Sequence, residues 1–167
     1  MTVAEVMAGV TVKPDFKGEL MTDDFVLAIN TGEAGAEIST YAVCQDHVIG
    51  IDPSVNSEYS ERNYIRTGKS SSKTAAQRAF SVTGHRTVGD PFQDFVFSHA
   101  VKFGVGASCV AEYVYFNIRN GKGERGKMML AVNSDGGGNA GENASISIEM
   151  RANEEAPKEF DYSNQTA

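Results

Sequence analysis

The residues from Gly121 to Lys127 are the first candidates for chemistry, because they match two phosphate-binding patterns by letter. Glycines at 121, 123 and 126 fit G-x-G-x-x-G, and Lys127 extends the run to G-x-x-x-x-G-K. Both patterns need a helix directly after the glycines, since the helix N-terminus holds the phosphate. Here Met128 stands where the second pattern needs Ser or Thr, and the run to Val132 is typical of a β-strand. The segment is therefore interpreted as a hairpin loop, and no cofactor-binding residue is predicted in it.

Other residue types that support catalysis or metal binding do not gather into a motif. Asp135 and the glycines after it suggest a calcium loop, but the alternating carboxylates and the closing Glu are missing. No serine stands in a nucleophile elbow. The histidines and cysteines match no zinc or redox spacing; they are His47, His85, His99, Cys44 and Cys109. The sequence predicts no catalytic, cofactor or metal site, and it disfavours an enzyme.

The size and charge of the chain narrow the function classes further. Its 167 residues and 17.9 kDa suit a single domain with terminal arms. Fifteen basic against 22 acidic residues give a net charge of −7, so the surface as a whole does not favour duplex nucleic acid. The chain lacks a secretory signal, and its apolar runs are too short to span a membrane. Synthesis in a cytoplasm is expected, with both cysteines reduced and buried.

Hydrophobic patterns predict six or seven strands and one helix. The predicted strands include 25–30, 41–52, 74–87, 110–119, 127–133 and 143–151. The strand at 41–56 is expected to pair with the one that begins at Thr74, with a long polar loop at 54–73 as the hairpin tip. This content predicts an α+β domain that is mainly β, built as a β-sandwich or partial barrel with one flanking helix.

The helix is predicted from Asp90 to Phe103. Asp90 is the N-cap, Pro91 the first helical residue, and Gln93 the closing residue of a capping box. Gly104 is expected to provide a left-handed C-cap. The apolar spacing places one face against the sheet; its members are Phe92, Phe95, Val96 and Phe103. His99 lies on that face, where a buried histidine with satisfied hydrogen bonds is the commoner outcome.

The chain divides into three segments and carries two stretches of opposite charge. A β domain at 25–152 is predicted between an N-terminal arm at 1–24 and a C-terminal arm at 153–167, in which Phe160 and Tyr162 suggest docking. Residues 59–88 have six basic and one acidic residue, net +5, whereas residues 139–167 have six acidic and two basic residues, net −4. Two solvated faces explain this pattern equally well. A head-to-tail contact between copies is the sharper hypothesis, and it would generate rings or filaments.

Six segments of the chain form a familiar set. They are SVTGHR at 81–86, GDPFQD at 89–94, YVYFN at 113–117, GKGE at 121–124, VNSDGGGNA at 132–140 and EFDYS at 159–163. Together they resemble the tail tube, or major tail, proteins of long-tailed bacteriophages, and the likeness covers roughly residues 25–163. The resemblance implies a small β-sandwich or partial barrel whose six copies form a ring. Stacked rings would then form a tube that DNA crosses without specific binding.

The resemblance also implies partners and contact residues. The 54–73 loop is expected to contact the neighbouring ring, with Arg62, Arg66, Lys69 and Lys73 as the candidate interface residues. The implied partners are further copies of the chain and other tail proteins, with no cofactor and no membrane. The implied location is the virion tail, after synthesis in the host bacterial cytoplasm. Inner tubes of contractile bacteriocins and of secretion systems fit the same resemblance.

Two other classes of function stay open from the sequence. A ligand-binding β module would be a monomer with a concave pocket. An enzyme would show activity that depends on a pair of carboxylates brought together by the fold.

Overall fold

Eight antiparallel strands form one sheet among the residues that the structure describes, which are 1–165 of this computed structural model. The strands are β1 (Phe25–Ile29), β2 (Ala42–Val43), β3 (Val48–Tyr64), β4 (Gly68–His85), β5 (Val110–Asn117), β6 (Lys122–Gly137), β7 (Ser145–Ala152) and β8 (Lys158–Asp161). Three short helices accompany them: α1 (Val3–Met7), α2 (Pro91–Val96) and α3 (His99–Lys102). Short 3-10 turns lie at Thr22–Asp24, Ile38–Thr40, Gly106–Cys109 and Tyr162–Gln165.

The sheet folds back on itself, which confirms the mainly β class predicted from the sequence. Its strand order is β2-β1-β5-β6-β7-β4-β3, and β8 pairs with the first residues of β6. Two strands separate β4 from β5, yet the Phe80 ring meets the Tyr115 ring at 4.9 Å and the Tyr113 ring at 5.8 Å. The sheet therefore curls around a core as a partial barrel.

Two hydrophobic cores lie on opposite faces of the sheet. The larger core joins the inner face to α2 and includes the fully buried Phe80, Phe92 and Tyr113. The smaller core covers the other face of β1 and β5, where Val114 and Phe116 pack against α1 and the C-terminal residues. Strand β5 thus alternates between two cores, as the apolar residues on both of its faces predict.

The predicted single helix is two helices, and Phe103 is not a core residue. Ser98 has an extended ψ of 147° and its hydroxyl donates to the Phe95 carbonyl at 2.7 Å, which ends α2. Phe92 and Val96 are fully buried and Phe95 is half-buried. Phe103 follows the break and is 68% exposed, so its predicted place in the core is wrong. His99 is exposed as well, because the break rotates its face away from the sheet.

The predicted N-cap is present in the structure, but the predicted C-cap is not. Asp90 accepts from the Gln93 amide at 3.3 Å, as predicted for the N-cap. The buried Gln93 side chain does not close a capping box; it donates to the carbonyls of Asp46 and His85 and accepts from the Thr87 amide. Gly104 is also not a left-handed cap. A Cβ there would overlap the Ala100 carbonyl and the Ser108 hydroxyl, so close packing explains this glycine.

Asp90→Asn is expected to raise the thermal unfolding midpoint at pH 7. Burial, with the neighbouring Asp46 carboxylate, raises the pKa of Asp90 above its ordinary value, although the Gln93 amide opposes the shift. Folding therefore strengthens proton binding at Asp90, and the stability falls as pH rises from the unfolded pKa through the raised folded pKa. Asn keeps the cap without the charge, whereas Asp90→Ala should lose about 1 kcal/mol. Calorimetry between about pH 4 and pH 8 checks this prediction. The same difference in unfolding midpoint between the wild-type protein and Asp90→Asn at both pH values would contradict it.

Both terminal segments dock on the sheet. Val3 is fully buried in the smaller core, and its amide donates to the Tyr41 carbonyl at 3.1 Å beside β2. At the other end Phe160 is buried, and the Tyr162 ring stacks on Phe116 at 5.5 Å. The predicted docking of these two aromatics is thus onto the protomer itself. The two cysteines are free and buried, as the sequence predicts.

The Gly-rich segments lie in β6 more than in loops. The β5–β6 turn ends at Gly121, whose amide donates to the Asn117 carbonyl at 2.8 Å. Glycines 123 and 126 lie in the strand, and a Cβ at Gly123 would overlap Tyr115 and Phe116 of β5. Strand β6 continues to Gly137, through residues predicted as a turn, and the chain reverses at 138–144. The hairpin loop predicted at 121–127 is therefore shorter, since β6 begins at Lys122, and no helix follows the glycines to hold a phosphate.

Candidate assembly interface

Strands β3 and β4 continue far beyond the body of the domain as a two-stranded hairpin. Strand β4 pairs with β7 only from Ala79 to His85, while its pairing with β3 runs on to Tyr64 and Gly68. We call residues 55–78 the ribbon. Ten residues along β3 give it a length of about 30 Å. The segment predicted as a polar loop at 54–73 is therefore regular β structure, with a turn only at 65–67.

The four predicted interface residues all lie on the exposed outer part of the ribbon. Arg62 belongs to β3, Lys69 and Lys73 belong to β4, and Arg66 occupies the turn with φ of 71°. Lys69 pairs with Glu61 at 2.6 Å. Within residues 1–165 the other three form no ion pair. The three unpaired charges are available to another molecule, but Arg62 and Lys73 lie on opposite faces of the ribbon.

The strands at the two ends of the main strand order, β3 and β2, differ in their availability for pairing. Strand β3 forms one edge and presents its outer backbone groups along its whole length. The other edge, β2, is already covered, because the Val43 amide donates to the Met1 carbonyl at 3.0 Å and Thr2 bridges to Ala42. Pro53 lies within β3, which an edge strand tolerates. A long open edge invites pairing with another chain.

The outer face of β3, β4 and β7 is open and rich in hydroxyl groups. Its small polar residues are Ser54, Ser81, Thr83, Ser145 and Ser147. Its charged residues are Asp52, Glu149 and Arg151, and the last two form an ion pair at 2.6 Å. Hydrogen bonding to Arg151 lowers the pKa of Glu149. This face is the polar counterpart of the packed inner face, on which Phe80, Val82 and Ile148 lie.

An aromatic and ionic anchor holds the base of the ribbon. The Arg78 guanidinium lies 4.7 Å from the centre of the Phe80 ring and 5.0 Å from that of Tyr115, and it pairs with Glu124 of β6. Burial raises the pKa of Tyr115, so its phenol stays neutral beside Glu124. A stacked and paired arginine is well suited to a half-buried position. The ribbon therefore leaves the body in a direction that β6 and β5 help to hold.

The acidic C-terminal stretch is divided between two ends of the domain. Glu154 and Glu155 border a cleft at the base of the ribbon, which Asn56 and Gln77 also line. Glu142 lies in the turn between β6 and β7, at the end opposite to the ribbon. The two charged stretches are therefore not simply at opposite ends of the protomer. Of the acidic residues named here, only Glu142 lies at the end that faces away from the ribbon.

The Glu112 carboxylate has a structural role. Glu112 accepts from the Asn30 side chain at 3.0 Å and from the Gly35 amide at 3.1 Å, and these bonds lower its pKa. Burial, aided by Glu112, raises the pKa of Tyr41 to about 12. The group ties the 30–41 segment to β5. Within residues 1–165 no three His, Cys, Asp or Glu side chains are grouped to hold a metal ion.

The described part of the chain contains no helix that is long and apolar enough to cross a membrane.

Comparison with known proteins identifies the fold. No protein-family model matches the chain, and no curated protein matches its sequence. A chain in the tail of an empty gene transfer agent particle, solved with helical refinement and C6 symmetry, matches with a TM-score of 0.58. The match has 16% identity and covers 85% of this chain and 98% of that one. This chain has the fold of a gene transfer agent tail chain.

A second solved structure gives the same result. A chain in the virion of a native gene transfer agent particle matches with a TM-score of 0.57 and 14% identity, over 85% of this chain and 99% of that one. Both neighbours are chains of gene transfer agent particles. The resemblance to tail proteins that the sequence predicts is therefore confirmed at the level of the fold.

Proposed function

We propose that this chain is a tail tube protein that self-assembles into stacked hexameric rings, which form the tube of a phage or phage-like tail. The ribbon is the observation that supports this most. It extends about 30 Å from a tail fold, and an isolated two-stranded hairpin of this kind is marginally stable in water. A second copy of the chain would cover it. Sixfold symmetry is taken from the C6 symmetry of the structural neighbour.

Ring closure would use the open β3 edge. Edge-to-edge pairing around a closed ring satisfies backbone groups that a monomer leaves open to solvent, and it leaves no edge to aggregate. Because residues 1 and 2 cover the β2 edge, the N-terminal residues would form part of the contact between neighbouring copies in the ring. The ribbon, which continues β3 and β4 beyond the body, would then reach the neighbouring ring.

The partners of such a tube protein would be further copies of the chain and other tail proteins. Its location would be the tail of the virion, after synthesis in the host bacterial cytoplasm. This role needs no catalysis, cofactor or membrane. The inner tube of a contractile bacteriocin or a secretion system would use the same ring geometry.

Concentrated purified protein is expected to form rings or tubes. The open edge and the ribbon favour association, and the net charge of −7 sets a salt dependence. Light scattering gives the mass, and negative-stain electron microscopy gives the symmetry and length. A protein that stays monomeric at high concentration and in high salt contradicts the proposal.

The open polar face would line the lumen of such a tube. It lies opposite the core, and its few charges, Asp52, Glu149 and Arg151, sum to −1 per copy. Hydroxyl groups and a slight negative charge suit a conduit for DNA, because binding of phosphates needs basic partners. DNA would therefore pass without specific contacts.

Adding basic residues to this face is expected to make tubes retain DNA. Thr83→Lys with Ser145→Lys should increase nuclease-resistant DNA by roughly tenfold at low salt, and high salt should reverse the effect. The matched control changes both residues to Gln. Equal retention by the Lys and Gln variants would show that the face does not line the lumen.

A further inference from the structure

The two faces of the ribbon differ in chemistry. Strand register assigns Val55, Ser57 and Tyr59 to one face, together with Ala76 of β4. The same register assigns Asn56, Glu58, Ser60 and Tyr64 to the other face, together with Ala75 and Gln77. We call these the Tyr59 face and the Tyr64 face.

The Tyr59 face continues the packed inner face of the sheet. Ile51 pairs with Val82, and Pro53 pairs with the fully buried Phe80, directly before the ribbon begins. On β3 the cover ends at Ile51, because Pro53 is already exposed. Val55 is 53% exposed and Tyr59 is 65% exposed. A tyrosine that becomes covered buries a large area of ring, so this face gains most from a partner.

The Tyr64 face continues the open, hydroxyl-rich face. Ser54 and Asp52 precede it on β3, and both are exposed. Its strand residues before Tyr64 are polar or charged, and water satisfies them. This face gains little from being covered.

The net charge of the ribbon favours a second copy of the chain as its partner. Five basic and two acidic residues give the ribbon a net charge of +3. Because the whole chain has a net charge of −7, the residues outside the ribbon have a net charge of −10. Lys73 lies opposite Tyr59 in the register, so a cation accompanies the apolar groups on this face. A copy of the chain offers the acidic surface that such a face needs.

We infer that the ribbon docks on a second copy of the chain through its Tyr59 face, while its Tyr64 face stays open. This inference rests on the proposed function and names the surface that performs it. The docked ribbon would extend the polar open face from one ring into the next. The contact is heterologous, so it propagates a stack instead of closing a dimer.

Two tyrosines provide a matched test, because both are exposed on the same ribbon but on opposite faces. Tyr59→Ser is expected to raise the critical concentration for assembly by at least about tenfold, as for a tyrosine at the centre of an interface. Tyr64→Ser is expected to change it by less than about threefold. Circular dichroism confirms that both variants fold. Equal effects, or a larger effect of Tyr64→Ser, overturn the inference.

Cysteine labelling gives a second readout that does not depend on loss of assembly. Ala75 and Ala76 are consecutive on β4 and lie on opposite faces, and the natural cysteines are buried. In assembled protein, maleimide labelling of Ala76→Cys should slow by at least about tenfold relative to the monomer, whereas that of Ala75→Cys should change by less than about threefold. Equal slowing, or stronger protection of Ala75→Cys, overturns the choice of face.

The outcomes separate this inference from the proposed function. If the wild-type protein does not assemble, the proposed function fails. If it assembles and the paired variants behave alike, the tube stands and the docking face is wrong.

Discussion

Shortening the ribbon is expected to abolish assembly and to leave the protomer folded. The change replaces residues 57–76 by the dipeptide Asn-Gly. Asn56 and Gln77 lie directly opposite each other in the register, so a two-residue type I′ turn can join them. All residues of both hydrophobic cores lie outside the deleted segment. Light scattering should report a monomer, and circular dichroism and thermal unfolding should match the wild-type protein.

A charge variant of the intact ribbon should have a smaller effect. Replacing Arg62, Arg66, Lys69 and Lys73 by Ser should shorten tubes, and high salt should imitate it in part, since exposed charges are screened over about 10 Å. Each exposed pair contributes only about 0–1 kcal/mol, but a ring repeats it. The matched control changes four exposed lysines outside the ribbon to Ser; they are Lys13, Lys17, Lys122 and Lys127. If the protein with the shortened ribbon still forms normal tubes, the ribbon takes no part in the stacking contact.

Phe92→Ala is expected to destabilise the protomer by about 3–5 kcal/mol. Phe92 is fully buried in the larger core, where α2 meets the sheet, so the truncation leaves a cavity. In a domain of this size, the loss lowers the unfolding midpoint by on the order of 10 °C. Urea unfolding followed by circular dichroism measures the free energy directly.

Phe103→Ala is the matched control for the same chemical change. Phe103 is 68% exposed, and its loss should cost less than about 0.5 kcal/mol. Phe95 is half-buried, and Phe95→Ala should fall between the two. A large cost for Phe103 with a small cost for Phe92 would mean that the helix presents another face to the sheet.

Local signals in the sequence were sufficient for the class and for most elements. The cap at Asp90 and Pro91 located the start of α2, because an N-cap acts on adjacent residues only. Period-two alternation located β7, where Ile146, Ile148 and Met150 are all buried. The break at Ser98 was missed, because the apolar spacing continues across it to Phe103.

The sequence does not indicate the strands of the ribbon, for a different physical reason. Half-buried strands are recognised by alternation of apolar and polar residues. Both faces of the ribbon are exposed in the protomer, so residues such as Ser60, Ser70 and Ser72 show no such alternation. A polar hairpin that another molecule covers reads as a loop in its own sequence.

By itself the sequence determined the mainly β class, the apolar faces of its strands and the excess of acidic residues, because composition and short-range periodicity carry these properties. Tertiary structure alone decided that β4 lies between β7 and β3, and that Phe80 meets Tyr115. Only the pairing register shows that Tyr59 continues the packed face while Tyr64 continues the open one. Strand pairing joins residues far apart in the chain, and a shift of one residue would exchange the two faces.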